Sequence, residues 1–280
     1  LSIQCRLMLH DALRSVGRIE EADLTLERLN RMIIRAPWRY SDADEMVTQG
    51  RIALRMGADP RQVLELLYDK AQRQDPDEIA TYLAIGDLAL DKNDFAEAAR
   101  AYQAGLKKHE DNPDLLFGLA QAMVPTDGEV TEAALAQVLD INPNHTGALL
   151  MHVDHFIDAE RQDKARQFID RVLNVNPRQP QAWAYLAVLA HINADAIGEH
   201  EYRSFALQRW DGNPEVDHLI GRKLSQKYRF AEGADYQRAA LTLDPNFLPA
   251  RKQLAQDLLR LGEVDEGWQL VNEVHEQDGY

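Results

Sequence analysis

The feature that most constrains this chain is a recurrence of proline. Pro37, Pro76, Pro113, Pro143, Pro177, Pro214 and Pro245 follow one another at a mean interval of about 35 residues. Proline lacks a backbone N–H, so it opens a helix in its first turn or marks where one has ended. Between successive prolines, apolar residues fall at helical spacing twice, with a short polar turn between. The plainest interval runs from 213 to 246. Leu219, Ile220 and Leu224 stripe a first helix, Gln226 to Arg229 make the turn, and Phe230, Ala234, Ala239, Ala240 and Leu241 stripe a second that stops at Asp244-Pro245. Gly221 sits inside the first helix, where glycine is costly unless another backbone comes close. One hairpin of this size cannot bury its own apolar stripe, but stacked neighbours can. The spacing therefore predicts an all-α chain, one continuous array of about eight helical hairpins. Their approximate ranges are 1–36, 37–76, 77–112, 113–143, 144–178, 179–212, 213–245 and 246–280.

Three intervals depart from the pattern. The second has a longer connection, Pro37 to Ser41, with Ser41 or Asp42 as the N-cap of a helix that Gly57-Ala58-Asp59-Pro60 then breaks. The fourth is short, with a strong turn signal at Pro125-Thr126-Asp127-Gly128. The sixth has a polar second helix around Glu199-His200-Glu201-Tyr202-Arg203.

Charge narrows the partners. With 31 Lys and Arg against 46 Asp and Glu, the net charge is −15. Such acidity argues against nucleic acid and against an anionic membrane surface, both of which need clustered cations. Its simplest role is solubility. The single cysteine, Cys5, rules out an internal disulfide framework and reads as a small core residue. The longest apolar run, Ala182 to Ile192, is too short to span a bilayer. No secretory leader is visible, but the chain begins with Leu, so the compartment stays open, with the cytoplasm as default.

Several residues resemble the tetratricopeptide repeat, or TPR. Tyr82, Ile85, Gly86, Ala98, Tyr102 and Gly105 match its large, aliphatic and small positions, as do Trp183, Leu186 and Ala187, and then Ile220, Gly221, Phe230, Gly233, Ala240 and Pro245. The resemblance covers nearly the whole chain and is weaker in the first, second and fourth intervals. It implies a right-handed superhelical solenoid whose first helices line a concave groove that binds a peptide or protein. Stretches such as Trp183 to His191 and Gly221 to Gly233 look more narrowly like bacterial TPR proteins with a downstream metallopeptidase-like domain. This chain has no His-Glu-x-x-His, so that chemistry would lie beyond Tyr280. The stripe Val264, Trp268, Val271 and Val274 has no obvious cover before the chain stops at Gly279-Tyr280, which suggests a truncated array or self-association through the last repeat.

No catalytic residue, cofactor or metal ligand is expected. His152 and His155, with Asp154 and Asp158, have helical metal spacing, but His152 falls where the repeat packs an aliphatic residue. Glu199, His200 and Glu201 are adjacent on a helix and point apart. The resemblance implies groove positions at Leu83, Asp87 and Leu90, then Phe117, Gln121 and Val124, then Leu150, Asp154 and Ile157. It continues through Val188 and His191, then His218, Arg222 and Ser225, and ends at Lys252 and Gln256. Arg222, Lys223, Lys227, Arg229, Arg251 and Lys252 form a basic patch. It either docks an acidic segment or a chain-terminal carboxylate, or is a solvent face balanced by Glu215, Asp217 and Glu232. Arg222 and Gln256 replace the asparagines of the chaperone-binding clamp, so heat-shock-protein C-termini are poor candidates.

Overall fold

The computed structural model of the chain describes residues 2–277; Leu1 and the expected stopping point at Gly279-Tyr280 lie outside them. Sixteen α-helices and no strand occur among the described residues, paired in chain order as hairpins. Contacts divide the chain into two compact units, Leu1–His145 and Thr146–Tyr280.

The first unit holds α1 (Ile3–Arg14), α2 (Ile19–Arg35), α3 (Ala43–Arg55), α4 (60–74), α5 (Ile79–Asp91), α6 (Phe95–Leu106), α7 (Pro113–Met123) and α8 (Gly128–Ile141). The connection after α2 contains one 3₁₀ turn, Pro37–Arg39, and α4 carries a π-helical turn at Leu64–Tyr68. The second unit holds α9 (Thr146–Asp158), α10 (Gln162–Val175), α11 (Pro180–Ile192), α12 (Ala196–Leu207), α13 (Pro214–Gln226), α14 (Phe230–Leu243), α15 (Leu248–Leu261) and α16 (Val264–Gln277).

The recurring prolines have a local explanation. Pro113 and Pro214 sit in the first turn of α7 and α13, after Asn112 and Asn213, whose side chains accept backbone N–H bonds as N-caps. Pro76, Pro143, Pro177 and Pro245 instead lie between hairpins. Each follows an Asp or Asn whose side chain accepts the N–H two residues on: Asp75 from Asp77 (3.0 Å), Asn142 from Asn144 (3.1 Å), Asn176 from Arg178 (3.1 Å) and Asp244 from Asn246 (2.9 Å). These are Asx turns with φ pre-set by proline. The turn is then tied to the next helix: Tyr82 Oη donates to the Pro76 carbonyl (2.7 Å) and Trp183 Nε1 to the Pro177 carbonyl (2.9 Å).

In seven of the eight hairpins, all but α7–α8, the two helices are joined by a tight turn with a left-handed residue, the usual end of a helix that must reverse. Gly17, Gly57 and Gly262 fill it at no steric cost, while Asn93, Glu160, Ala194 and Tyr228 hold φ between 57° and 62°.

In the first unit the core includes Tyr102, fully buried and packed between Gly86 and Gly118. A Cβ added at those glycines would lie 2.4 and 2.3 Å from its ring. In the second unit Gly221 lets α13 approach α14: a Cβ there would stand 2.8 Å from the Gly233 carbonyl oxygen. That is the close backbone its mid-helix position requires. Of the stripe expected to lie uncovered, Val264 and Trp268 are exposed, and Val271 and Val274 are half-buried.

Candidate functional site

In the first unit, the first-helix positions singled out by sequence lie on α5 and α7. Leu83 and Leu90 are half-buried and pack on the core around Tyr82 and Tyr102. Asp87 is 58% exposed, accepts a hydrogen bond from Tyr102 Oη (2.8 Å) and lies 3.7 Å from Arg51. Phe117 is half-buried against His145, with ring centroids 4.8 Å apart, and Gln121 is exposed. Val124, at the end of α7, is 57% exposed. The α7–α8 hairpin carries Asp114, Asp127, Glu129, Glu132 and Asp140 but no Lys or Arg.

The corresponding positions of the second unit are organised differently. Asp154 on α9 receives three donors: Tyr185 Oη from α11 (2.8 Å), Arg222 Nη2 from α13 (2.9 Å) and Lys223 Nζ from α13 (3.1 Å). Lys223 is 0% exposed and also reaches Asp158 Oδ1 at 2.6 Å. Lys227 Nζ donates to the Asp158 carbonyl (2.8 Å), neutralising the negative end of α9. Burial opposes ionisation of Asp154, yet the charges of Arg222 and Lys223 and the hydrogen bonds from Tyr185 and Lys223 outweigh it. They hold its carboxyl below the usual range. Burial, and then Asp154 itself, push the Tyr185 hydroxyl well up.

This ionic clasp runs from the fifth hairpin to the seventh and passes over α11, where Ala184 and Val188 are fully buried. Ile157 and Ser225, also expected on an open face, are buried as well, Ser225 donating to Asp257 (2.8 Å). Much of the basic patch is therefore already paired within the chain, and Lys223 is buried. Arg222, Lys223 and Lys227 are engaged with Asp154, Asp158 and Glu160, while Asp217 is fully buried and held by Arg203 at 2.5 and 2.6 Å. Arg229 does pair with Glu232 (3.3 Å).

The two histidines of this face are also committed. His218 Nδ1 lies 2.8 Å from Gln237 Oε1, and burial lowers its pKa. His191 stands between Glu232 and Glu199 at 2.8 and 3.0 Å. Leu150 is half-buried, and Lys252 and Gln256 are exposed on α15. Among the groove positions expected from the sequence, Asp154 and Arg222 are brought into direct contact. Tyr185 was missed; Asp158 and Glu199 are singled out by sequence in other constellations, and Glu232 as a balance for the basic patch, but not as partners of Lys223 or His191. The polar character of the sixth hairpin was a signal for Glu199, but Tyr185 sits in an apolar run and offered none.

His152 is buried, 4.8 Å from the Phe168 ring, while His155 is exposed. No group of three or more His, Cys, Asp or Glu among the described residues could hold a metal ion, and no described helix is long and apolar enough to cross a membrane.

Family models described as tetratricopeptide repeat match residues 83–146 and 126–189. A protein of Arabidopsis thaliana named Protein CTR9 homolog is 30% identical over 135 residues, which is 47% of this chain and 12% of that protein. Among solved structures, a tetratricopeptide repeat protein from Parabacteroides merdae is similar with a TM-score of 0.58 at 17% identity, covering 85% of this chain and 93% of that one. The APC/C hetero-tetramer Cut9–Hcn1 is similar with a TM-score of 0.61 at 14% identity, covering 98% and 53%. Yeast Tom70 follows with 0.57 at 16%, covering 93% and 56%. At such identities these neighbours establish the fold. Residues 83–189 are thus matched as tetratricopeptide repeats, and the chain as a whole has the fold of solved tetratricopeptide-repeat structures.

Proposed function

We propose that the chain is a non-catalytic protein-interaction scaffold that holds a segment of a partner against the first helices of its first unit. Helical repeat stacks of this kind use such surfaces to bind other proteins, and the Cut9–Hcn1 neighbour is itself a hetero-tetramer. The observation that carries the reading is a difference in availability. Leu83 and Phe117 present half-buried apolar groups beside the exposed Gln121 and Val124, with Asp87 exposed at their edge, whereas Asp154 and Arg222 are tied to each other. Half-buried apolar side chains can anchor a segment, and the polar groups beside them set its register. Because the α7–α8 hairpin has five carboxylates and no cation, the segment that suits it carries Lys or Arg beside its apolar anchors.

Peptides selected from a displayed random library on the immobilised chain test this. The expected binders combine apolar and basic residues, and the double change Phe117→Ala with Val124→Ser weakens them about tenfold or more. Selection of acidic peptides that depend on Lys252 and Gln256 would overturn it and move the site to α15.

A further inference from the structure

We propose that His191 is a proton-operated latch between the sixth and seventh hairpins: protonated, it ties α11 to both α12 and α14, and neutral, it releases one of them. The argument is geometric. Glu199 Oε1 of α12 lies 3.0 Å from Nδ1, and Glu232 Oε2 of α14 lies 2.8 Å from Nε2. The ring is 18% exposed, and its Nδ1 is closed off from solvent. The Nδ1 contact runs off the N–H direction, so it is electrostatic rather than an in-line hydrogen bond.

A neutral imidazole carries one N–H. Whichever nitrogen keeps it, the other stands unprotonated about 3 Å from a carboxylate oxygen, an unfavourable contact between two negative partial charges. One added proton makes both contacts attractive. The surrounding groups leave this balance in place. On α14, Tyr236 stands edge-on to the ring, with centroids 6.3 Å apart, and its hydroxyl donates to Glu199. Arg229, just before α14, shares Glu232 at 3.3 Å. On α13, Arg222 and Lys223 are turned to Asp154, and Asp217 to Arg203 of α12.

Burial by itself lowers the imidazole's affinity for a proton, but the hydrogen bond to Glu232, the close contact with Glu199 and the charges of both outweigh it, leaving the pKa above its ordinary value. A group raised in the folded state contributes stability that is complete below its unfolded value, about 6.5, and is lost as pH rises through the folded value. The latch therefore holds below about pH 6.5 and loosens as pH rises through the raised folded value.

Imidazole NMR titration of the full chain is the direct test. His191 is expected to titrate above the ordinary value, and the double variant Glu199→Gln/Glu232→Gln to lower it. In parallel, the gap in Tm between wild type and His191→Gln should be widest near about pH 6 and narrow toward about pH 9. Neutral His191 keeps its proton on Nε2, in line with Glu232, so α12 is the helix released. Over the same range, amides in the first turn of α12 should exchange faster in wild type, after correction for intrinsic rates, but not in His191→Gln. Titration of His191 at or below the ordinary value, or a Tm gap that is flat with pH, would overturn the latch.

Discussion

In the first unit, close helix approach is set by an aromatic ring against glycine: Tyr102 between Gly86 and Gly118, and Tyr68 against Gly50. The second unit buries Asp217, Lys223, Gln237 and Asp257 instead. The first unit's ring-on-glycine contacts depend on volume, so they punish any added atom. The second unit's contacts depend on pairing, so they punish removal of one partner more than replacement of both. Apolar packing accepts many partners of the right size, whereas a buried lysine accepts only a register that brings it to a carboxylate. The turns differ in the same sense. The first unit reverses direction on Gly17, Gly57 and Asn93, residues that suit a left-handed backbone, while the second forces Glu160, Ala194 and Tyr228 into it and keeps one glycine, Gly262.

The largest test of this contrast is Lys223→Met. It leaves Asp154 and Asp158 without their shared cation and should cost about 3–5 kcal/mol in denaturant unfolding. Adding Asp154→Asn should recover part of the loss, and a neutral Lys223→Met would mean that pairing is not what holds the second unit. Next comes Gly118→Ala in the first unit. Its Cβ meets the Tyr102 ring, so a loss of about 1–3 kcal/mol is expected. Tyr102→Leu in the same chain should relieve it, and a double-mutant cycle without coupling would break the volume argument. The smallest effect is a gain: Ala194→Gly relaxes a left-handed turn and should stabilise by about 1 kcal/mol. Unchanged unfolding would show that this turn carries no strain.

The hairpins were legible because their causes are local. Proline after Asp or Asn, a small residue where helices cross, and apolar stripes at helical spacing all act within one or two turns of chain. Gly221 even announced the approach of a second backbone. The candidate site was less legible. Asp154 and Lys223 are 69 residues apart in sequence and belong to hairpins that are not consecutive. No periodicity argument links them, so Lys223 read as part of a surface patch and Val188 as an open position. Solvation was the missing quantity: a lysine in sequence has no depth until the fold brings Tyr185 and two carboxylates around it. His191 was marked for its position, but its two glutamates come from separate helices and gave no shared signal.

The clasp from α9 to α13 also bears on how the second unit comes apart. A stack of repeats held only by adjacent interfaces behaves as a one-dimensional lattice in which fraying proceeds from an end, one element at a time. A bond that skips an element adds second-neighbour coupling. Loss of the seventh hairpin then withdraws the counter-ion of the fifth, so those three hairpins melt as a single cooperative block.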